Sequence, residues 1–131
     1  MMLVRTVKKP SDIHGVGLFA NEFIPKGSPT WRFIAGIDQA IHPDLVERVP
    51  EASRITFLTY AYLDIRTGLY VLCADDARFM NHSDEPNVKG DYDLDPVFGV
   101  DVAARDIEPG EELTCDYRTF DRIDRKSLHF Q

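Results

Sequence analysis

Arg78-Phe79-Met80-Asn81-His82-Ser83, running on through Asp84-Glu85 to Pro86-Asn87, is a dense polar cluster that follows the apolar Tyr70-Val71-Leu72. Amide and imidazole groups both donate and accept hydrogen bonds, so Asn81 and His82 suit the reading of a polar ligand. They suit equally a buried junction in which they satisfy loop backbone groups. The stretch alone leaves these two readings level, and its flanks decide between them.

Upstream, His14-Gly15-Val16-Gly17-Leu18-Phe19-Ala20 sets two glycines one residue apart ahead of a strand, where missing side chains let backbone amides approach a ligand closely. No third glycine opens a helix and no βαβ unit follows, so this is not a dinucleotide fingerprint. Taken by itself it reads as a tight turn. Downstream, Gly110-Glu111-Glu112-Leu113-Thr114-Cys115-Asp116-Tyr117 is a turn, a short strand and an acid beside a tyrosine. On a continuing strand Asp116 and Tyr117 would point in opposite directions and share no pocket.

In this order the three segments resemble the motifs of the SET domain, the family of protein lysine methyltransferases that use S-adenosyl-L-methionine and release S-adenosyl-L-homocysteine. The HGVGLFA segment resembles the opening GxG motif, RFMNHSDEPN the RFxNHSxxPN motif, and RDIEPGEELTCDY the closing GEELTxDY motif. The resemblance covers nearly all of the chain. It implies an α+β, mostly β fold: several small sheets with a pseudoknot-like crossing of the Asn81–Ser83 and Tyr117 segments near the C-terminus. Cofactor and peptide then enter from opposite faces and meet through a narrow channel.

The same resemblance implies roles. The backbone of Gly15, Val16 and Gly17 contacts the methionine part of the cofactor, Arg78 lies at its rim, and Asn81 and His82 hold its amino group and adenine. Tyr117 matches the catalytic tyrosine. Tyr60, Tyr62 and Phe98 are candidate channel walls, because aromatic faces line the aliphatic stem of a lysine while a hydroxyl touches its nitrogen; ordinary core packing is the alternative for all three. Free lysine has a pKa of about 10.4. An adjacent sulfonium and an apolar channel both lower it, so no dedicated general base is expected.

The chain departs from the family pattern in two places. No cysteine follows Cys115, and Asp84 stands after Ser83 where the family often has a cysteine, so a short, zinc-free form is expected, with no metal site. The segment Arg118 to Gln131 is then expected to close the site, with Phe120 or Phe130 packed over the cofactor. Cys115, two before Tyr117, stands where Phe or Tyr is common. The smaller side chain leaves room for a methylated amine and implies progression beyond monomethylation.

Composition bounds the rest. The 131 residues allow one domain, 1–131, with a variable insert at about 37–68 that shapes the peptide groove. At 44% hydrophobic and 28% charged the chain reads as a soluble globular fold, with no run of about 18 apolar residues that could span a membrane. The N-terminus shows no export signal, and a cytoplasmic protein is expected; the short, zinc-free form is one that occurs in bacteria and large viruses, and action on chromatin inside a host nucleus stays open. A formal charge of −7 has the wrong sign for a general nucleic-acid binder and suits a basic protein or peptide partner. Monomer and homodimer remain open. An inactive module of the same fold that binds or scaffolds basic peptides is the alternative to an enzyme.

Eight Gly and eight Pro punctuate short runs rich in β-branched and aromatic residues, which predicts many short strands. These fall near Leu3–Lys8, Gly17–Ala20, Thr30–Ile34, Leu69–Leu72, Val97–Ala103 and Leu113–Cys115. Helices are predicted from Pro43 to Val49 and over Ala52–Leu58. A hairpin through Arg66-Thr67-Gly68 would bring Tyr60, Tyr62 and Tyr70 together. Ala20–Gly27 and Ala104–Gly110 echo one another as two similar strand-to-strand turns.

Overall fold

The computed structural model describes residues 1–123. An N-terminal hairpin pairs β1 (Thr6–Pro10) with β2 (Val16–Ala20) in antiparallel register, Lys8 opposite Leu18. Its connection closes through the Ser11 amide on the Gly15 carbonyl (2.8 Å). Gly15 takes φ +48°, where a side chain is strained. Next come β3 (Pro29–Arg32), β4 (Gln39–Ile41), α1 (Pro43–Val46), α2 (Glu51–Tyr60), β5 (Ala61–Leu63) and β6 (Tyr70–Leu72). After a single 3-10 turn at Asp76–Phe79 follow β7 (Asn81–His82), β8 (Val88–Asp91), β9 (Val100–Ala103) and β10 (Thr114–Cys115).

These strands form small sheets. β3 and β8 flank β9, β4 and β5 flank β6, and β7 pairs with β10. The last pairing is parallel, Thr114 beside Asn81 and Cys115 beside His82. Beyond β10 the chain turns through Tyr117–Thr119 and straps onto the β5–β6 hairpin, Ile65 donating to the Phe120 carbonyl (3.0 Å) and Arg122 to that of Leu63 (2.9 Å). Before β10, Leu113 donates to the Leu18 carbonyl of β2 (2.8 Å). The C-terminal segment thus passes between the N-terminal hairpin, β7 and the insert, which is the expected pseudoknot-like crossing. The architecture is mostly β with two short helices, as the motifs imply.

The two echoing turns face each other. Ile24 and Ile107 exchange both backbone hydrogen bonds (2.9 Å each), while Gly27 donates to Ala103 and Gly110 to Ala20 (2.8 Å each). Both isoleucines are sealed in a core with Leu18, Met80, Leu113 and Cys115.

Several sequence expectations need correction. The first helix stops at Val46, and the second is longer than expected, running to Tyr60. The predicted hairpin is present, its turn held by the buried Asp64 carboxylate, which accepts from the Thr67 amide (3.0 Å) and hydroxyl (2.6 Å). The hairpin does not gather Tyr60, Tyr62 and Tyr70, because alternation puts Tyr62 with Val71 on one face and Tyr70 with Leu63 on the other. Tyr60 ends α2 and turns to Phe79 (5.6 Å), whereas Tyr70 meets Phe57 (6.1 Å).

Candidate active site

The three motif segments meet at Glu112. Its carboxylate accepts from the Ser11 hydroxyl (2.7 and 2.9 Å) and from the Asn81 amide nitrogen (2.9 Å). The same Asn81 nitrogen donates to the His14 carbonyl (3.0 Å). Asn81 is buried on β7, so one side chain ties the glycine loop to the C-terminal motif. Gly17 is required by this arrangement. A Cβ there would stand 2.5 Å from Glu112 Oε2 and 2.8 Å from its Cδ. Gly15 and Gly17 thus serve different needs, one a backbone angle and the other a close approach.

Asn87 secures the other side. Buried, its side chain accepts from the Thr114 amide (2.8 Å) and donates to the Glu112 carbonyl (2.8 Å), and its backbone amide donates to the Thr114 hydroxyl (3.3 Å). The Pro86-Asn87 end of the polar cluster is therefore a junction, while Asn81 faces the loop.

At Asp116 the strand ends, so the alternation that would separate Asp116 from Tyr117 no longer applies. Asp116 caps the 3-10 turn through the Arg118 amide (3.0 Å) and pairs with the Arg118 guanidinium (2.9 Å), which holds its carboxyl below the usual range. The Tyr117 amide donates to His82 Nδ1 (3.1 Å), leaving Nε2 to face Asp84 (3.0 Å). The ring of His82 lies 5.4 Å from that of Tyr117. The Tyr117 hydroxyl donates to the Met80 carbonyl (2.5 Å), which fixes the phenol against the strand that carries Asn81.

From Tyr117 a row of rings leads away. Phe120 packs edge-on against Tyr117 (5.9 Å) and against Tyr62 (4.9 Å). Burial pushes the Tyr62 hydroxyl well above its usual pKa, reinforced by Cys73, Asp101, Asp64 and Tyr92. Phe120 thus lies beside Tyr117; Phe130 lies outside the described residues. Cys115 is buried beside Met80, and burial drives its thiol well up. The other candidates are spread out. Phe98 stacks on Phe33 (4.1 Å, 22°). Arg78 donates to the Cys73 carbonyl (2.7 Å) and lies over Tyr60 (5.4 Å), beside α2. Val16 is exposed at the mouth of a cavity of about 260 Å³ that it shares with Lys8, Lys9, Pro10 and Phe79.

Glu112 and Ser11 escaped the sequence reading. An acid flanked by Glu111 and Leu113 looks like a solvated turn residue. The available signal was a second acid directly before the apolar Leu113, whose neighbours Gly17 and Asn81 were already singled out.

A glycine loop, an Asn-His strand and a C-terminal tyrosine segment threaded together by one carboxylate define a compact β-rich class of domain. The SET domain family model matches residues 15–118, and the chain belongs to the SET-domain family. A curated relative from Plasmodium falciparum (isolate 3D7), named putative histone-lysine N-methyltransferase 1, is 34% identical over 123 residues, covering 88% of this chain and 2% of the relative. Among solved structures, ctPRC2 in an autoinhibited conformation bound to S-adenosylmethionine aligns at TM-score 0.65 and 23% identity, over 95% of this chain and 16% of that one. An active polycomb repressive complex 2 in the basal state aligns at TM-score 0.65 and 27% identity, also over 95% and 16%. The chain therefore spans a small part of the proteins it resembles.

Proposed function

We propose that this protein is a methyltransferase that binds S-adenosyl-L-methionine beside Gly15–Gly17 and methylates a lysine side chain of a basic protein. The observation that carries the reading is Asn81, whose amide joins the His14 carbonyl to Glu112, two residues before the strand that leads to Tyr117. The residues present fit the cofactor. Asn81 and Glu112 offer a polar end for an amino group, and Gly17 keeps the backbone bare. Lys8 and Lys9 stand at the rim of the cavity by Val16, where a carboxylate finds positive charge. That cavity, at about 260 Å³, accommodates one end of a cofactor rather than all of it.

When bound, the cofactor supplies a methyl group on a positively charged sulfur. The chain's own contribution is orientation and exclusion of water, the usual source of catalysis in an oriented bimolecular reaction. Met80 holds the Tyr117 hydroxyl, His82 holds the Tyr117 amide, and Phe120 with Tyr62 forms an apolar wall along which an alkyl stem can lie. The net charge of −7 suits a basic substrate, and the Plasmodium relative is named for lysine methylation of histones.

The test is calorimetric titration of S-adenosyl-L-methionine into wild type, Asn81→Ala and Tyr117→Phe. Binding lost in Asn81→Ala and kept in Tyr117→Phe, with methyl transfer to histone or other basic proteins seen for wild type and absent from both variants, supports the reading. Cofactor binding without transfer to any basic protein would favour an inactive binding module.

A further inference from the structure

The imidazole of His82 stands between two acids, and the place of its one ring hydrogen decides what it can hold. Its Nδ1 lies 3.1 Å from the Tyr117 amide nitrogen and 3.7 Å from Asp116 Oδ1. Its Nε2 lies 3.0 Å from Asp84 Oδ1. A neutral imidazole carries hydrogen on one nitrogen and a lone pair on the other. To accept the Tyr117 N–H, Nδ1 must be bare, so the hydrogen belongs on Nε2 and points at Asp84. The opposite tautomer sets an Nδ1–H against the Tyr117 N–H, donor facing donor, and turns its hydrogen toward Asp116.

The surroundings favour the first arrangement in two ways. Asp84 is placed by its neighbour: the Ser83 amide donates to the Cys115 carbonyl (3.0 Å), and the Ser83 hydroxyl accepts from the Glu85 amide (3.0 Å). Asp116, the competing acid, is already engaged. Arg118 donates to both of its oxygens, Nε to Oδ1 and Nη2 to Oδ2 (2.9 Å each), and the Arg118 backbone amide donates to Oδ1 (3.0 Å). A carboxylate held by a cation draws the imidazole hydrogen less strongly. The same guanidinium lies 3.2 Å from Asp84 Oδ1 and so links the two acids. Among the described residues, Asp84 from one segment and Asp116 with Arg118 from the other are the charged groups around this ring.

We propose that Asp84 is a positioning residue for methyl transfer: it keeps the His82 hydrogen on Nε2, so that Nδ1 holds the Tyr117 amide. The inference rests on the methyltransferase reading above and deepens it. A hydrogen bond at one imidazole nitrogen sets the role of the other, and here it reaches the tyrosine through the main chain. Tyr117 is fixed at two points, its hydroxyl by the Met80 carbonyl and its amide by His82. That amide opens the 3-10 turn of Tyr117–Thr119, which leads to Phe120. A slack amide therefore displaces the phenol and the apolar wall together, in a reaction that depends on orientation. Both nitrogens of the His82 ring are engaged within the chain, so His82 offers a cofactor its backbone rather than its side chain.

Long-range proton–nitrogen spectra of the isotope-labelled protein, at about pH 8 and so above the ordinary histidine range, show which imidazole nitrogen carries hydrogen. His82→Gln assigns the His82 signals among the four histidines. Wild type, Asp84→Ala and Asp84→Asn are compared, with Tyr117 amide hydrogen exchange, S-adenosyl-L-methionine calorimetry and methyl transfer to histones measured on each. The Asp84 side chain is 76% exposed, so its removal spares the core, and thermal unfolding verifies this. Wild type is expected to show the Nε2–H tautomer alone. Asp84→Ala is expected to show a mixture, with Tyr117 amide exchange faster and methyl transfer slower by about threefold, the scale of an exposed charged contact, and cofactor affinity nearly unchanged. Asp84→Asn keeps an oxygen that accepts from Nε2 and is expected to restore the tautomer, which a loss of charge alone would not do. An Nδ1–H tautomer in wild type, or identical His82 spectra in wild type and Asp84→Ala, would overturn the assignment. A displaced tautomer with an unchanged transfer rate would overturn it too. Should Asp84→Ala fail to fold, Arg118→Gln, which releases Asp116, takes its place, and an unmoved His82 spectrum would overturn the assignment. An Asp84-dependent tautomer in a wild type that binds no cofactor would instead overturn the methyltransferase reading and leave the hold on Tyr117 standing.

Discussion

Replacing Gly17 with alanine tests the junction on which the site depends. The new methyl would stand 2.5 Å from Glu112 Oε2, 2.8 Å from its Cδ and 3.0 Å from the Ser11 Cβ. Glu112 cannot simply swing aside, because Ser11 and Asn81 hold its carboxylate at 2.7 to 2.9 Å. Each hydrogen bond to a charged group contributes about 1.5–3 kcal/mol. Alanine in a strand returns about 0.5–1 kcal/mol of backbone entropy. The net loss for Gly17→Ala is then about 2–4 kcal/mol. Gly15→Ala meets nothing within 4 Å and bears only the strain of φ +48°, about 1–2 kcal/mol. Urea unfolding of the two variants, with the double variant Gly17→Ala/Glu112→Ala, measures the difference. In the double variant the clash is gone, so its cost falls well short of the sum of the single costs. A Gly17→Ala midpoint within about 0.5 kcal/mol of wild type, or strict additivity with Glu112→Ala, would refute the junction.

Other consequences are open to simple assays. Burial raises the Asp101 carboxyl pKa from 3.8 to about 7, so the folded protein binds its proton more tightly than the unfolded chain does. Stability is then full below about pH 4, falls as pH rises to about 7, and is level above. Asp101→Asn removes that slope; at about 1.4 kcal/mol per pH unit the ceiling is about 4 kcal/mol at pH 8, and partial contact with water reduces it to about 2. A wild-type stability curve flat between pH 4 and 7 would contradict this. Burial pushes the Cys73 thiol up to about 12 and the Cys115 thiol well up, so neither is expected to react with iodoacetamide at pH 8 without denaturant, and rapid native labelling of either would contradict the packing. Tyr117→Phe removes the hydroxyl held by Met80 and is expected to abolish methyl transfer while changing cofactor affinity less than threefold, read by calorimetry and a methylation assay.

What the sequence made legible was local. Gly15, Gly17, Asn81 and Tyr117 stand in short segments whose residue types could be read locally, and the fold brings Gly17 and Asn81 to Glu112 and the Tyr117 hydroxyl to the Met80 carbonyl beside Asn81. The turns at Gly27 and Gly110 were equally readable, because a glycine after proline and a charged residue has few alternatives. Features that depend on register were hidden. Tyr60, Tyr62 and Tyr70 separate because a helix ends at Tyr60 and a strand then alternates. β8 is spelled Val88-Lys89-Gly90-Asp91, too polar to read as a strand without its partner β9. Asp101 looks like the solvent-facing member of an alternating strand. Only the bare backbone of Gly90 and the buried ring of Trp31 beside it show that it faces inward.

The central claim is that Asn81 and Glu112 hold the glycine loop as a cofactor site. Calorimetric titration of S-adenosyl-L-methionine into wild type and Asn81→Ala addresses it most directly. The account predicts saturable one-to-one binding to wild type and a loss of at least tenfold in a folded Asn81→Ala. Equal affinity in the two proteins would contradict it.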